Sequence, residues 1–245
     1  MVAGERSAAL NSDILNQSAT PPGPGCWEIK PNGGLAAGST IASVVDPLEK
    51  RAPFHDHHHA VQFYGNDHSL FRTVSGFLSH GLADGHPSIV IATRAHQDLI
   101  LKYLRARHIN VSKARQTGSL VVLDAHRTLD LFMDGDLPDA DRFEASVGQL
   151  IADTLEGRRD RVQIRAYGEM VDVLWKQGQA DAAIQLEMLW NMLAQRYGFA
   201  LLCGYAVSNF HKDTTGFEAV CREHTHVIAA SPSYLASAQP RAAGR

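Results

Sequence analysis

Imidazole, carboxylate and hydroxyl groups recur in this 245-residue sequence where they could bind or react. The densest group is the run His55-Asp56-His57-His58-His59, with His68 close behind. Imidazoles and carboxylates so spaced can ligate zinc or nickel, but four-coordinate sites usually draw ligands from several elements. The run therefore reads as a solvated lead-in to a strand, and no metal or other cofactor is assigned. His59 itself either fixes the strand entry through a hydrogen bond or touches a ligand. Glu169 is the strongest single candidate, because it follows directly on an apolar strand beside Gly168. A partly desolvated carboxylate there serves as a hydrogen-bond partner or base; the competing role is a cap or an ion pair with Arg94 or Arg127. Glu187 and Asn191, four apart, share a helix face and either line a pocket or bond to nearby backbone. Tyr64 and Tyr205 stand near strand ends, each offering an aromatic face and a hydroxyl. Cys203 lies in an apolar strand and reads as a small buried thiol without a base or cation to activate it. No Ser-His-Asp order occurs in strand-turn-helix context, so no residue is assigned a catalytic role and the chain is not expected to be an enzyme.

These groups need a scaffold, and the apolar pattern supplies one. Val61–Tyr64, Ser88–Ala92, Leu120–Leu123, Val162–Tyr167, Phe199–Val207 and His226–Ala229 read as strands. Between them lie helical stripes: Leu70, Val74, Phe77 and Leu78; Leu99, Ile100, Tyr103 and Leu104; Phe143, Val147, Leu150, Ile151 and Leu155; and Ala183, Leu186, Trp190, Leu193 and Tyr197. Asn66 or Asp67 caps the first helix, Thr93 the second, and Gly198 ends the last. Met188, Trp190 and Met192 read as core rather than cofactor contacts. Strands without polar alternation, separated by helices, predict an α/β fold with a mostly parallel sheet covered on both faces. Ligands of such sheets bind beyond the carboxyl ends of the strands. That edge comprises Tyr64–His68, Thr93–His96, Asp124–Arg127, Tyr167–Met170 and Tyr205–Phe210.

Composition narrows the classes. A net charge of −3 advertises neither nucleic acid nor an anionic membrane. Three sparse cysteines, Cys26, Cys203 and Cys221, fit a reducing compartment better than a disulfide framework. No apolar run approaches the roughly 20 residues of a membrane span and no signal peptide is apparent, so the expected location is the cytoplasm. Residues 1–53, rich in Ser, Pro, Gly and Ala, read as a disordered tail; 54–230 as the ordered domain; and 231–245 as a flexible tail or linker.

The stretches Phe77–Gly85, Ile89–Ile91 and Gly118–Ala125 resemble the order of motifs in KaiC- and RecA-like ATPases. More specifically, His59–Tyr64, Gly168-Glu169-Met170, Leu186-Glu187 with Trp190-Asn191, and Cys203-Gly204-Tyr205 resemble the MEDS family, the methanogen/methylotroph, DcmR-type sensory domain. The resemblance spans about residues 54–230, and within the histidine run only His59 matches it. It implies a three-layer sandwich and a regulatory input module that senses a small organic compound or relays a signal to a histidine kinase or transcription regulator. The ATPases' phosphate loop is replaced here by Phe63-Tyr64-Gly65-Asn66-Asp67-His68-Ser69, with one glycine, no lysine and an aspartate that repels phosphate. Hydrolysis by the usual route is therefore not expected. The alternative is a residual nucleotide-binding domain. On the leading reading the ligand residues are His59, Tyr64, Asn66, Asp67, His68, Ser69, Arg94, Glu169, Glu187 and Tyr205.

Overall fold

The apolar runs pair as one six-stranded parallel sheet in the computed structural model, which describes residues 58–158, 162–211 and 213–228. In chain order come β1 (His59–Tyr64), α1 (Asp67–Ala83), β2 (Ser88–Ala92), α2 (Arg94–Ala106), α3 (Val111–Gln116) and β3 (Leu120–Asp124). Next are α4 (Ala125–Phe132), β4 (Met133–Asp134), β5 (Leu137–Pro138), α5 (Ala140–Phe143) and α6 (Gln149–Leu155), the last two joined by a π-turn over Glu144–Gly148. The remainder is β6 (Arg165–Gly168), α7 (Met170–Lys176), α8 (Ala180–Tyr197), β7 (Ala200–Ala206), a 3-10 turn (Val207–Phe210), α9 (Thr214–Glu223) and β8 (His226–Ile228). The sheet order is β3-β2-β6-β7-β1-β8, while β4 and β5 form a separate antiparallel hairpin.

Period-two alternation divides the strand residues between two cores. Ala60, Tyr64, Val90, Ala92, Tyr167, Ala200, Leu202 and Ala206 face α1, α2 and α3. Val61, Phe63, Ile89, Ile91, Ala166, Leu201, Cys203 and Tyr205 face the layer built by α4 to α9. Both faces are thus buried, which is why the strands read as unbroken apolar runs. The order also decides where a crevice opens. The chain leaves β2 toward one layer and the neighbouring strand β6 toward the other, so the loops after these two strands part.

Asn66 caps α1, its side chain accepting from the Ser69 amide, and Gly198 ends α8 in the left-handed conformation at φ 65°. Thr93 stands at the α2 N-cap without a side-chain capping bond. Three short helices depart from the sequence reading. Residues 124–127, expected as a loop, instead open α4 with Asp124 as its cap. α3 follows α2 directly, and α7 begins immediately after Glu169. Met188 and Met192 are also corrected: they lie exposed on α8, while Trp190 is core. The expected tails, 1–53 and 231–245, and His55, Asp56 and His57 lie outside the described residues. Among the described residues no helix is long and apolar enough to cross a membrane.

Candidate functional site

At the carboxyl edge, Glu169 joins the loops that part after β2 and β6. Its side chain is almost fully buried, and its oxygens accept from the Thr93 amide, the His96 Nδ1 at 2.6 Å and the Tyr167 hydroxyl at 3.0 Å. Burial pulls the His96 imidazole toward neutrality, but the hydrogen bond and charge of Glu169 outweigh it and hold its pKa above the ordinary value. Burial, reinforced by Glu169, pushes the Tyr167 hydroxyl well up, so it stays protonated and donates. Gly204, opposite on β7, leaves room for that ring: a Cβ there would lie 2.9 Å from the Tyr167 oxygen.

Three residues along α7, Asp172 extends the same network to β1 and β7. Its Oδ1 accepts from the Ala206 amide at 2.9 Å and the Asn209 side chain at 2.6 Å. Its Oδ2 accepts from the Tyr64 hydroxyl at 3.0 Å and from Lys176 at 2.6 Å, one turn on. Burial and this carboxylate push the Tyr64 hydroxyl up, again keeping it a donor. Two carboxylates thereby tie together the ends of β1, β2, β6 and β7. Between them opens a cleft of about 190 Å³ lined by Thr93, His96, His126, Glu169, Asp172 and Lys176.

A second polar cluster lies beneath the other face of the sheet. His59 and Cys203 point from β1 and β7 toward α8, and Glu187 meets them with Oε2 at 3.2 Å from His59 Nε2 and 3.3 Å from the Cys203 sulfur. Its Oε1 accepts from the Tyr205 hydroxyl at 2.9 Å and lies 3.5 Å from His224 Nε2. All five side chains are essentially inaccessible to solvent. Burial opposes the Glu187 charge, yet the neighbouring imidazoles and the hydrogen bond from Tyr205 hold its pKa below the ordinary value. Burial pulls His224 down to about 4, pushes the Cys203 thiol well up, and does the same to Tyr205.

A carboxylate-centred cleft at the crevice of a parallel sheet suits an input module, and comparison with known families agrees. The model of MEDS, the methanogen/methylotroph, DcmR sensory domain, matches residues 58–225. The chain belongs to this family. No curated protein matches it.

Of the ten residues singled out in the sequence, nine divide within this MEDS domain into three sets, and Arg94 lies exposed outside them. Glu169 and Tyr64 sit in the edge network, Glu169 with His96 and Tyr167 as partners rather than Arg94 or Arg127, both of which are exposed. Asn66, Asp67, His68 and Ser69 form the start of α1: Asn66 and Ser69 bond to each other, and His68 bonds to the Tyr103 hydroxyl at 2.6 Å. His59, Glu187 and Tyr205 belong to the buried cluster. Tyr205 therefore does not present its hydroxyl to the edge, because alternation along β7 turns it toward α8. Glu187 engages side chains of three other elements, not neighbouring backbone, and Cys203 does have a base and a carboxylate beside it. Asp172, Lys176 and His96 in the cleft, and His224 in the buried cluster, were not among the ten. A buried aspartate within Met170-Val171-Asp172-Val173-Leu174-Trp175 is the one visible signal, since a charge amid such an apolar run needs partners.

Proposed function

We propose that this MEDS domain is a non-catalytic sensory module that binds a small organic compound in the cleft between the ends of β2 and β6. The observation that carries the reading is Glu169, a buried carboxylate at the point where the two loops part, opening on a cavity lined by donors and acceptors. Its oxygens already accept three hydrogen bonds, so it acts as an anchor and not as a free base. The cleft, at about 190 Å³, is smaller than the roughly 300–1,000 Å³ of drug-sized pockets and suits a compound of few non-hydrogen atoms. Lys176 and His96 offer donors to a hydroxyl, carbonyl or carboxylate. A ligand that favours one arrangement of the loops shifts the population read by a partner, a histidine kinase or transcription regulator.

The test is a thermal-shift and NMR screen of C1–C4 alcohols, amines, carbonyl compounds and carboxylates, with ATP as a further arm. The expected result is saturable stabilisation by an organic member, perturbation of the Thr93, His96 and Lys176 resonances, and loss of the effect in Lys176→Met. Binding confined to resonances away from these residues, or no stabilisation by any organic member, overturns the reading. The alternative, a residual KaiC-like nucleotide site at 64–69, has weaker support. Asn66 already occupies the Ser69 amide that a phosphate would need.

A further inference from the structure

The buried cluster beneath the sheet has too few protons for its lone pairs. His224 Nδ1 lies 2.7 Å from the Val220 carbonyl, which only accepts, so Nδ1 carries the proton and Nε2 presents a lone pair. That Nε2 is fully buried and finds no hydrogen-bond donor among the described residues. The same reasoning fixes His59. The Asn191 amide nitrogen donates to the Glu223 carbonyl at 3.0 Å, which turns its Oδ1 toward His59 Nδ1 at 2.8 Å. His59 Nδ1 therefore donates, and in the neutral ring its Nε2 also presents a lone pair, 3.3 Å from the Cys203 sulfur and 3.2 Å from Glu187 Oε2. Tyr205 supplies one proton to Glu187 Oε1, leaving the single thiol proton of Cys203 to serve His59 Nε2 and Glu187 Oε2, with His224 Nε2 unserved.

We propose that His59, Glu187, Cys203 and His224 form a closed site for one divalent metal ion of the zinc class. Their ligand atoms all lie within 4.8 Å of one another. His59 Nε2, Glu187 Oε2 and the Cys203 sulfur are separated from one another by 3.2, 3.3 and 3.3 Å, and His224 Nε2 lies 3.5 Å from the other Glu187 oxygen. The edge of a tetrahedron is about 1.6 times its centre-to-corner distance, so bonds of about 2.0–2.3 Å to N, O and S imply edges of roughly 3.3–3.7 Å. The donor set, two imidazoles, a thiolate and a carboxylate, suits a borderline-soft ion. Charge balances as well: binding displaces the thiol proton to solvent, and thiolate plus carboxylate neutralise the dication inside a fully buried region. Outer partners are in place, since Asn191 and the Val220 carbonyl hold the imidazoles in the ligating tautomer. With four protein ligands there is no open position, so the ion ties β1, β7, α8 and the α9–β8 connection together and takes no part in chemistry. The sequence drew attention to the run at 55–59, of which His59 joins this set.

The experiment uses the untagged full chain, stripped with a chelator and titrated with Zn2+ or Co2+. One equivalent should bind. The Co2+ form should show near-ultraviolet thiolate-to-cobalt charge transfer and the intense visible bands of a tetrahedral ion. Both signatures should persist when Cys26 and Cys221 are changed to Ser and when His55, His57 and His58 are changed to Ala. Cys203→Ser should abolish the charge-transfer band. Asn191→Leu, a positioning change, should keep the band while weakening Zn2+ binding by roughly 10- to 100-fold. Folded wild-type protein that binds less than one equivalent, or binds Co2+ without the thiolate band, overturns the proposal. So does a site lost with the histidine run but retained in Cys203→Ser. Should Cys203→Ser fail to fold, the wild-type cobalt spectrum and the Cys26/Cys221 variant decide alone.

Discussion

Replacing Glu169 with Ala and with Gln separates two contributions that one substitution would blur. In Glu169→Ala the Thr93 amide and the fully buried Tyr167 hydroxyl lose their acceptor. An unsatisfied buried donor costs about 1–3 kcal/mol, so the two together predict a loss of about 3–5 kcal/mol. The His96 share is small, because that imidazole reaches water and can be solvated when its partner leaves. In Glu169→Gln the geometry permits rescue. The Thr93 amide can only donate, which directs the new carbonyl oxygen toward it and the amide nitrogen toward Tyr167 and His96. A hydroxyl can accept, and neutral His96 can move its proton to Nε2 and accept at Nδ1. Only the charge-assisted part of the bonds is then lost, about 1–2 kcal/mol. Urea denaturation of the three proteins measures the difference, and NMR titration of His96 supplies an independent reading. Because Glu169 is what holds the His96 pKa up against burial, the titration midpoint should fall in Glu169→Gln. Equal costs for Ala and Gln, or an unmoved His96 midpoint, would refute the assigned network.

The same network makes three further predictions. His96 has a folded-state pKa raised above 6.5, so its pairing with Glu169 stabilises fully below that pH and is lost as pH rises through the elevated value; the stability gap between wild type and His96→Gln should shrink as the pH is raised from 6.5 upward in urea titrations. Asp172→Ala strands the Ala206 amide and the Tyr64 hydroxyl and should cost about 3–5 kcal/mol in urea denaturation, whereas Lys176→Met, which alters a half-exposed ion pair, should cost under about 1 kcal/mol. Gly204→Ala places a methyl against the Tyr167 oxygen and should cost about 1–3 kcal/mol; combined with Tyr167→Phe the costs should be less than additive, which a double-mutant cycle would detect.

What could be read from the residues depended on how far each signal extends along the chain. Strands buried on both faces announce themselves as apolar runs, so Ile89–Ala92 and Leu201–Tyr205 were legible, and with them the parallel α/β class. α8 was legible because 18 residues give several turns of periodicity and a glycine stop. α3, α4 and α7 have six to eight residues, too few for a period to stand out against the flanking strands. Missing α7 meant missing Asp172 and Lys176, two of the polar side chains that line the cleft. Glu169 was found because its position relative to a strand end is a local fact. The face on which Tyr205 would point was also latent in the period of two, but only once Val61 and Cys203 are known to be partners in register. His224 could not be joined to His59 at all, since their meeting depends on β8 adding to the far side of β1.

The placement of the two polar clusters restricts how a signal could travel. Both draw on β1 and β7: Tyr64 and the Ala206 amide belong to the edge network, His59 and Cys203 to the buried cluster, with the pleat sending the side chains to opposite layers. Replacing a buried carboxylate network with well-packed hydrocarbon is often neutral in stability, so stability alone does not account for the edge network. The edge network differs from the buried cluster in one respect that matters for signalling: it opens on a cleft through groups that water already reaches, His96 and Lys176. A bound compound that competes for His96 would loosen the hold of Glu169 on the ends of β2 and β6, and one that competes for Lys176 that of Asp172 on the ends of β1 and β7. The buried cluster, sealed on every side, keeps the pairing of β1 with β7 fixed while this happens. On the proposed reading, ligand binding therefore moves the loops after β1, β2, β6 and β7 against a sheet that does not itself rearrange. Amide hydrogen exchange should accordingly change around Gly65–Ser69, Thr93–His96 and Val207–Asn209 on binding, and remain unaltered at Val61 and Cys203; slowed or accelerated exchange within β1 and β7 themselves would place the moving part elsewhere.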